Sequence, residues 1–220
     1  VYRPSEDKYL TFEVERKTIE IPMVTSKMLD NNIGYVAVYE FEETTSGQFN
    51  QAIDALTAQG MKGLIIDLRD NPGGLVNSAT AILDRILSKD QLLVYTVDKN
   101  GKKQEEYTED DETINVPISV LINGNSASAS EIVSGCLQDY GKAKLVGTTS
   151  FGKGIVQYVL PLGDGSAIKL TSAKYYTPNG RNIHGTGIDP DVEVELNSDS
   201  ETDTQLEKAQ EIVLQEIQAE

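Results

Sequence analysis

A strand–turn–helix pattern occurs twice along this chain of 220 residues. Residues 63–68 form an apolar run that is typical of a buried strand, and they lead through a glycine turn into an amphipathic helical stretch. Residues 118–122 form a second apolar run, which leads through a turn of small residues into a predicted helix over residues 129–139. Alternation of strands and helices predicts an α/β fold, and the length suits one domain with a sizeable core.

Other parts of the chain add strands and helices to this frame. The Asn-Gly turn at residues 100–101 lies between two alternating segments and predicts a β-hairpin. The helix predicted for residues 204–218 has one apolar face, so we expect it to dock on the core. Charged side chains at the end of the first buried strand, Asp67, Arg69 and Asp70, favour a salt-bridged strand end over direct catalysis. The remaining predicted elements are strands over residues 9–15, 35–39, 91–97, 102–107, 155–160 and 167–175 and a helix that begins near residue 44.

Charge and composition limit the partners of the chain. The formal net charge is -16 at pH 7, so nucleic acid and anionic membrane surfaces are disfavoured as partners. One histidine, one cysteine and no ligand-spaced cluster predict neither a transition-metal site nor a cofactor. Cys136 is expected to be a packing residue, because a single cysteine cannot form an internal disulfide. No apolar run is long enough to span a membrane.

A serine-rich turn and a glycine-flanked lysine carry the chemistry predicted for this chain. The turn Asn-Gly-Asn-Ser-Ala-Ser-Ala-Ser-Glu-Ile starts at Asn123 and places Ser128 at the N-terminus of a predicted helix. Free N–H groups there favour developing negative charge. Lys153 follows one predicted strand later, between Gly152 and Gly154, and can be brought against the serine hydroxyl as its base. The two motifs suggest a serine nucleophile that is activated by lysine in place of histidine.

The same lysine permits a phosphate-binding interpretation. Residues 147–153 have the glycine and lysine spacing of a phosphate-cradling loop. The next residue is Gly154, where a serine or threonine is required to meet magnesium. Residues 155–160 are typical of a strand, whereas such a loop opens a helix. Both departures disfavour a nucleotide site.

Two further interpretations use other side chains. A Ser-His-Asp site requires the only histidine, His184, which lies in a glycine-rich loop and is expected to be solvated. In the structural interpretation, Ser126, Ser128 and Ser130 only cap the helix, together with Glu131. The residues alone leave this interpretation open beside the catalytic one.

The proposed chemistry sets conditions on the lysine and its neighbours. A lysine has a reference pKa of about 10.4, so it accepts a proton at neutral pH only where burial or the local field lowers that pKa by several units. Gly152 and Gly154 permit a tight backbone turn and keep side chains away from the amine. Gln157 is expected on the same strand face as Lys153, where it can accept a hydrogen bond from the amine without adding charge.

Residues 123–157, together with residues 64–74 (Leu-Ile-Ile-Asp-Leu-Arg-Asp-Asn-Pro-Gly-Gly), resemble the signatures of the C-terminal processing proteases. These enzymes are also called tail-specific proteases, and the similarity runs through most of the chain. The family uses a Ser-Lys dyad. The resemblance implies that Ser128 is the nucleophile, that Lys153 is its base and that Gln157 orients the lysine.

The resemblance also implies the surroundings of the dyad. The oxyanion hole maps onto the amides of Ala129 and Gly74, with Gly73 shaping its turn. Glu131 and Asp139 match family positions that support the active site, and we expect their role to be structural. The fold implied is an α/β-sandwich core akin to the crotonase and Clp protease fold.

The family further implies a domain organisation. Residues 1–18 resemble the last strand and exit linker of a PDZ domain whose other parts are missing, and residues 19–220 resemble the catalytic domain. We therefore expect a catalytic core from a longer protease that is membrane-anchored or exported. Such a protease works outside the cytoplasm, in the bacterial cell envelope or as a secreted protein. A homo-oligomer is compatible with this organisation.

The expected function is that of a serine endopeptidase that cleaves proteins in their C-terminal regions through an acyl-enzyme intermediate. Its protein or peptide substrates are expected to lie extended beside a strand and to pair through their backbone. The alternative from a different class is a peptide-binding module that shares the fold and does not cleave. An acyl-thioester enzyme of the crotonase type is a third interpretation, but it explains neither Lys153 nor Gln157.

Overall fold

The computed structural model describes residues 1–17, 19, 21–111, 113–196 and 202–219, which form strands and helices in alternation. The strands are β1 (Tyr2–Arg3), β2 (Lys8–Tyr9), β3 (Val24–Met28), β4 (Ile33–Val38), β5 (Gly63–Asp67), β6 (Leu92–Asp98), β7 (Lys103–Tyr107), β8 (Ile118–Ile122), β9 (Ala143–Gly147), β10 (Ile155–Pro161), β11 (Ala167–Tyr176) and β12 (Val192–Glu193). The helices are α1 (Thr45–Ala58), α2 (Val76–Ile86), α3 (Ala129–Asp139) and α4 (Thr204–Ala219), with short 3-10 turns at Pro4–Glu6 and Asp30–Asn32.

A six-stranded sheet forms the centre of the fold, in the order β12-β9-β8-β5-β4-β3. Its strands run parallel, except that β3 is antiparallel to β4. Every residue of β5 and β8 is buried, which explains their continuous apolar sequences. Successive residues of β5 enter different cores: Leu64 packs with residues of α1, α2 and α3, and Ile65 packs with residues of α4. Helices therefore cover both faces of this sheet, and the predicted α/β fold is confirmed.

A second, antiparallel sheet has the order β10-β11-β6-β7. Only residues 173–176 of β11 pair with β6, so the outer part of the β10–β11 hairpin extends beyond the rest of the sheet. The side chains of Val159, Ile168 and Leu170 on this part are exposed. Strand β10 is an edge strand, because β11 is its one partner among the described residues. The predicted hairpin around residues 100–101 is confirmed as β6 and β7.

The strand predicted for residues 9–15 is wrong. Only Tyr9 of that segment belongs to a strand, and it pairs with Tyr2 in the small β1–β2 hairpin. Phe12 and Val14, which set the alternating pattern, are both exposed. Alternation indicates a strand only where a neighbouring strand supplies hydrogen bonds, and none of the described residues does so here. The assignment of residues 1–18 to a PDZ remnant stays a prediction, and its boundary at Thr18 lies outside the described residues.

An ion-pair network fixes the first turn of α4 to the end of β5. The Arg69 guanidinium donates hydrogen bonds to Asp67, to Asp203 and to the side chain of Gln205, with its Nη2 at 2.6 Å from Asp67 Oδ2 and 2.8 Å from Asp203 Oδ2. The Tyr35 hydroxyl donates to the same Asp67 carboxylate at 2.7 Å. The predicted salt-bridged strand end is therefore confirmed for Asp67 and Arg69, and it includes Asp203 from the other end of the chain. Asp70 instead accepts hydrogen bonds from the side chains of Asn123 and Asn125.

Helix α4 docks through the apolar face that its sequence predicts, with Ala209 and Val213 fully buried. Leu206 and Ile217 pack against the same cluster with part of their surface exposed. None of the four described helices has the length and apolar character to cross a membrane.

The charge of Asp203 contributes to stability in a pH-dependent way. Burial opposes ionisation of this carboxyl, but hydrogen bonds from Arg69 and from the amides of Leu206 and Gln205 outweigh burial and lower its pKa. A carboxyl with a lower pKa in the folded state stabilises the fold above its unfolded pKa of about 3.9. That contribution is lost as the pH falls through the folded pKa.

We predict that Asp203→Asn lowers the free energy of unfolding at pH 7 and that the difference from the parent protein shrinks as the pH falls below about 4. Asparagine retains the cap of α4, where Asp203 Oδ1 accepts the Leu206 N–H at 3.0 Å, so the substitution removes mainly the charge. Urea unfolding at a series of pH values measures the difference. Asp54→Asn, which disrupts an exposed pair with Arg85, is the control and should have a much smaller effect. An Asp203→Asn difference that is constant from pH 7 to pH 3 would contradict the assignment.

Candidate active site

The turn between β8 and α3 holds Ser128 in an unusual backbone conformation. Ser128 is the N-cap of α3 and has φ 56° and ψ -112°, a region that residues other than glycine rarely occupy. Ser126 stabilises the turn through two hydrogen bonds: its Oγ donates to the Leu68 carbonyl at 2.7 Å and accepts the Asn123 N–H at 3.0 Å. Backbone strain of this kind persists only where the surrounding structure enforces it, and it is common at functional sites.

Ser128 and Lys153 line the same cavity, which has a volume of about 350 Å³. Gln157 and Gly74 also line it, so the structure brings together four of the side chains and turns predicted for the site. Among the described residues, no hydrogen bond joins Ser128 to the Lys153 amine, and that amine has no ion-pair partner. Catalytic hydrogen bonds are often long in the absence of substrate, so this spacing is compatible with a dyad that closes on binding.

Gln157 lies on β10, and its side chain makes no hydrogen bond to Lys153 among the described residues. Its side-chain amide donates to Thr171 Oγ1 at 3.3 Å, across the β10–β11 pair. The expectation of a shared strand face was wrong, because Lys153 precedes β10, which begins at Ile155. Both side chains nevertheless reach one cavity, and the orienting role of Gln157 stays a prediction.

The turn from β5 to α2 contains two glycines, and one of them, Gly73, contacts the Ser128 turn. Gly73 and Gly74 have φ values of 105° and 136°, in the range that favours glycine. A Cβ at Gly73 would meet Ser128 Cβ at 2.7 Å and the Ala129 nitrogen at 3.0 Å, and a Cβ at Gly74 would collide with the backbone of Phe41. The two turns can therefore approach this closely only with glycine at position 73, and the β5–α2 turn can approach Phe41 this closely only with glycine at position 74.

Two main-chain amides are left without an acceptor where these turns meet. In the described part of the chain, the N–H groups of Gly74 and Ala129 make no hydrogen bond, whereas their neighbours Gly73 and Ser130 donate to Asn71 Oδ1 and to the Ala127 carbonyl. Ala129 is fully buried, and buried amides normally find acceptors, whereas Gly74 is exposed to solvent. Two free N–H groups beside Ser128 are the arrangement that the predicted oxyanion hole requires.

Asn71 joins the two turns and was not identified as a site residue from the sequence. Its side chain is fully buried, donates to the Val38 carbonyl at 2.8 Å and accepts the Gly73 N–H at 2.9 Å. Its main-chain carbonyl accepts the Ala127 N–H at 3.0 Å and the Ser130 hydroxyl at 2.9 Å. The bond to the amide two residues ahead is an Asx turn, and an asparagine before Pro-Gly-Gly is the sequence signal for it.

Glu131 connects the Ser128 turn to the Lys153 loop. The side chain is fully buried. Its Oε2 accepts the N–H groups of Ser128 and Lys153, both at 2.8 Å. Its Oε1 accepts the Ser150 hydroxyl at 2.6 Å and the Gly152 N–H at 2.7 Å. The carboxylate binds main-chain and hydroxyl donors on both sides of the cavity, which fits the expected structural role.

Tyr175 is a second residue that sequence reasoning missed. It lines the cavity from β11, is almost fully buried, and donates its hydroxyl to the Ser128 carbonyl at 3.0 Å. Burial raises the pKa of this hydroxyl, and the nearby charge of Glu131 raises it further, so the group remains a donor across the working pH range. Its only sequence signal is the position in an alternating strand.

Asp139 lies at the opposite end of α3 from Ser128 and does not line the Ser128 cavity. It pairs with Arg181 and accepts the Asn179 N–H at 2.8 Å. The loop that contains Arg181 supports the lysine loop, since Gly185 N–H donates to the Gly152 carbonyl at 2.8 Å. This loop is one connection between Asp139 and the site, and helix α3 itself is another.

His184 belongs to the same supporting loop. Its side chain is exposed and does not line the Ser128 cavity, although its backbone packs against Gly154. This placement disfavours the Ser-His interpretation.

Comparison with known proteins places the chain among proteases. Residues 32–194 match the profile of Peptidase family S41. The chain is 40% identical to carboxy-terminal processing protease CtpB of Bacillus subtilis (strain 168), over 88% of this chain and 41% of that protein. It is 42% identical to the carboxy-terminal-processing protease of Bartonella bacilliformis, over 86% of this chain and 44% of that protein. The chain thus spans less than half the length of these curated relatives.

A solved structure gives the same picture of the fold. The photosystem II D1 C-terminal processing protease superposes with a TM-score of 0.73 at 30% identity, over 90% of this chain and 54% of that one.

We predict that Glu131→Gln destabilises the fold by at least about 2 kcal/mol, because an amide NH₂ cannot accept hydrogen bonds and would leave two of the four buried donors without an acceptor. Urea unfolding measures this loss. Glu106→Gln makes the same chemical change at an exposed position on β7 and should leave stability within about 0.5 kcal/mol of the parent. Equal stabilities of the two variants would show that the carboxylate does not hold the turns together.

Proposed function

This chain belongs to peptidase family S41, and we propose that it is a serine endopeptidase that cleaves proteins in their C-terminal regions. One observation carries the proposal: Ser128, held at a strained helix N-terminus, shares a cavity with Lys153 beside two main-chain amides that have no acceptor among the described residues. Each group needed for acyl transfer by a Ser-Lys dyad has a counterpart in this arrangement.

In the proposed reaction, Ser128 Oγ attacks the carbonyl carbon of the scissile bond, and the Lys153 amine takes the hydroxyl proton. The N–H groups of Gly74 and Ala129 stabilise the oxyanion of the tetrahedral intermediate. The intermediate collapses when the leaving amine receives the proton from Lys153, which leaves an acyl-enzyme on Ser128. Water, deprotonated by Lys153, then hydrolyses the ester and restores the serine.

The open edge of β10 supports binding of an extended substrate. This strand pairs on one side with β11, and its first residues, Ile155 and Val156, line the cavity of Ser128. A peptide that pairs with the free side would place its carbonyl groups beside the nucleophile, as in other cases of strand addition. The relatives are named carboxy-terminal processing proteases, which supports protein tails as the substrates.

Several properties of the whole protein are proposed from family resemblance. We propose that it is membrane-anchored or exported, that it acts in the bacterial cell envelope or as a secreted protein, and that a PDZ domain precedes the catalytic core. The formal net charge of -16 supports protein substrates over nucleic acid. Homo-oligomerisation is compatible with these features.

The alternative, a peptide-binding module that does not cleave, is supported by one observation. Ser128 and Lys153 share no hydrogen bond among the described residues, and the Gln157 amide is directed to Thr171. A fold of this kind would bind an extended peptide and leave it intact. A cleavage assay separates the two functions.

We predict that Ser128→Ala and Lys153→Ala each abolish cleavage of an unfolded protein with an apolar tail, while both variants keep the parental fold. The double variant should be no less active than either single one, because the two side chains act as one unit. Gel electrophoresis of timed digests measures cleavage, and circular dichroism checks the fold.

His184→Ala is the control for this experiment, since a lysine base makes the histidine dispensable. Cleavage by either dyad variant at more than a few per cent of the parental rate would contradict the dyad. Loss of cleavage in a folded His184→Ala protein would restore the Ser-His interpretation.

We also predict that Gly74→Val reduces kcat by roughly 10²–10³-fold, the scale on which loss of one oxyanion donor acts. The valine side chain would collide with the Phe41 backbone at a φ of 136°, so the turn must shift and carry its amide away from the cavity. KM should change far less. Gly47→Ala in α1, where a Cβ meets nothing within 4 Å, is the control. Equal changes in KM and kcat would instead mean that the turn only shapes the peptide groove.

A further inference from the structure

Lys169 is a cation in the Ser128 cavity to which the proposed reaction assigns no role. It lies on β11 and lines the cavity, as do Ser128 and Lys153. Lys153 is assigned to proton transfer. Among the described residues, Lys169 makes no hydrogen bond or ion pair through its side chain, so its ammonium group is available to a ligand.

Strand register places Lys169 on the substrate side of the β10–β11 hairpin. Lys169 pairs with Val159, and Thr171 pairs with Gln157. Paired residues of an antiparallel ladder share a face, and so do alternate residues along one strand. Lys169 therefore lies on the same face as Gln157, about 7 Å further along the hairpin.

The Lys169 ammonium group is a positive charge in a protein whose surface is mostly negative. The whole chain carries a formal net charge of -16, so an acidic substrate is repelled by most of the surface. Glu40 is the acidic side chain that lines the cavity, and it forms no ion pair with Lys169 in the described part of the chain. An anionic group that enters the cavity thus meets a favourable contact at Lys169 and an unfavourable one at Glu40.

We propose that Lys169 is a specificity-determining residue that binds a carboxylate group of the substrate within a few residues of the scissile bond. The carboxylate belongs to an aspartate or glutamate side chain or to the C-terminus of the substrate. A lysine ammonium is a compact charge on a flexible stem, so it can follow a carboxylate in either position. This inference rests on the proposed function, because it assumes that a peptide occupies the cavity.

Two sets of peptides test the proposal. The first is a set of fluorescein-labelled decapeptides of alanine and valine, each with one aspartate at a different position, and their twins with asparagine in its place. The second compares a free C-terminus with an amidated one. Binding to the Ser128→Ala protein is measured by fluorescence anisotropy, and kcat/KM is measured with the parent protein.

Variants of Lys169 give the decisive comparison. Lys169→Met keeps the length of the side chain and removes its charge, Lys169→Glu reverses the charge, and Lys169→Arg keeps it. Lys174→Met is the matched control, because Lys174 is an exposed residue of the same strand that lines a different cavity. Each substitution is made in both the parent and the Ser128→Ala protein.

We expect the protein with Lys169 to prefer one aspartate peptide, or the free C-terminus, by about fivefold over its neutral twin, the scale of an exposed ion pair. Lys169→Met should abolish the preference, Lys169→Glu should invert it, and Lys169→Arg and Lys174→Met should keep it. The arm that shows the preference identifies the source of the carboxylate.

The proposal is overturned if Lys169→Met keeps the parental preference or if the parent protein has none. Binding and cleavage distinguish this failure from failure of the proposed function. Binding with a Lys169-dependent preference, but without cleavage by the parent protein, would reject the peptidase and retain the carboxylate site. Cleavage without a preference would retain the peptidase and reject the carboxylate site.

Discussion

A buried carboxylate organises the site of this protein. Removing an ionised group from water is costly unless donors replace its hydration, and Glu131 receives four of them. The donors belong to two segments, the Ser128 turn and the loop from Ser150 to Lys153, which are separated by a helix and a strand. If either segment moved away, the Glu131 carboxylate would lose hydrogen-bond donors and the main-chain amides of that segment would lose their acceptor. The position of the proposed nucleophile relative to the proposed base is therefore set by a residue that takes no part in the chemistry.

Asn71 performs a comparable task without a charge. Its side chain and carbonyl connect the end of β4, the Gly73 amide and the Ser128 turn. A left-handed conformation at a serine costs on the order of 1–3 kcal/mol, and bonds from both sides offset that cost. Asn71 accepts from the amides of Gly73 and Ala127 and from the Ser130 hydroxyl, whereas the amides of Gly74 and Ala129 have no acceptor among the described residues. Satisfying the surroundings of a site while leaving two amides open is what distinguishes it from an ordinary loop contact.

The sequence was most informative where one physical rule acted alone. Strands β5 and β8 and helix α3 follow from apolar runs, and the Arg69 pairing follows from the need to neutralise charges at a strand end. Prediction failed where a distant partner decides the outcome. The alternating segment after Tyr9 has no strand partner in the described part of the chain, and Gln157 bonds to Thr171 on the adjacent strand. Tyr175 was missed for the same reason, since only the fold brings its hydroxyl to Ser128.

The two walls of the cavity differ in how firmly the molecule holds them. Ser128 and Gly74 sit on turns anchored in the main core, whereas Gln157 and Lys169 sit on a hairpin whose outer part pairs only with itself. Segments with few buried contacts open locally at a small fraction of the global unfolding free energy. Amide hydrogens of the outer hairpin therefore exchange with solvent independently of those in β5 and β8. We therefore expect one wall of the cavity to be rigid and the other compliant. If peptides bind there as proposed, those of different bulk should displace the hairpin and leave the turn that carries the serine undisturbed.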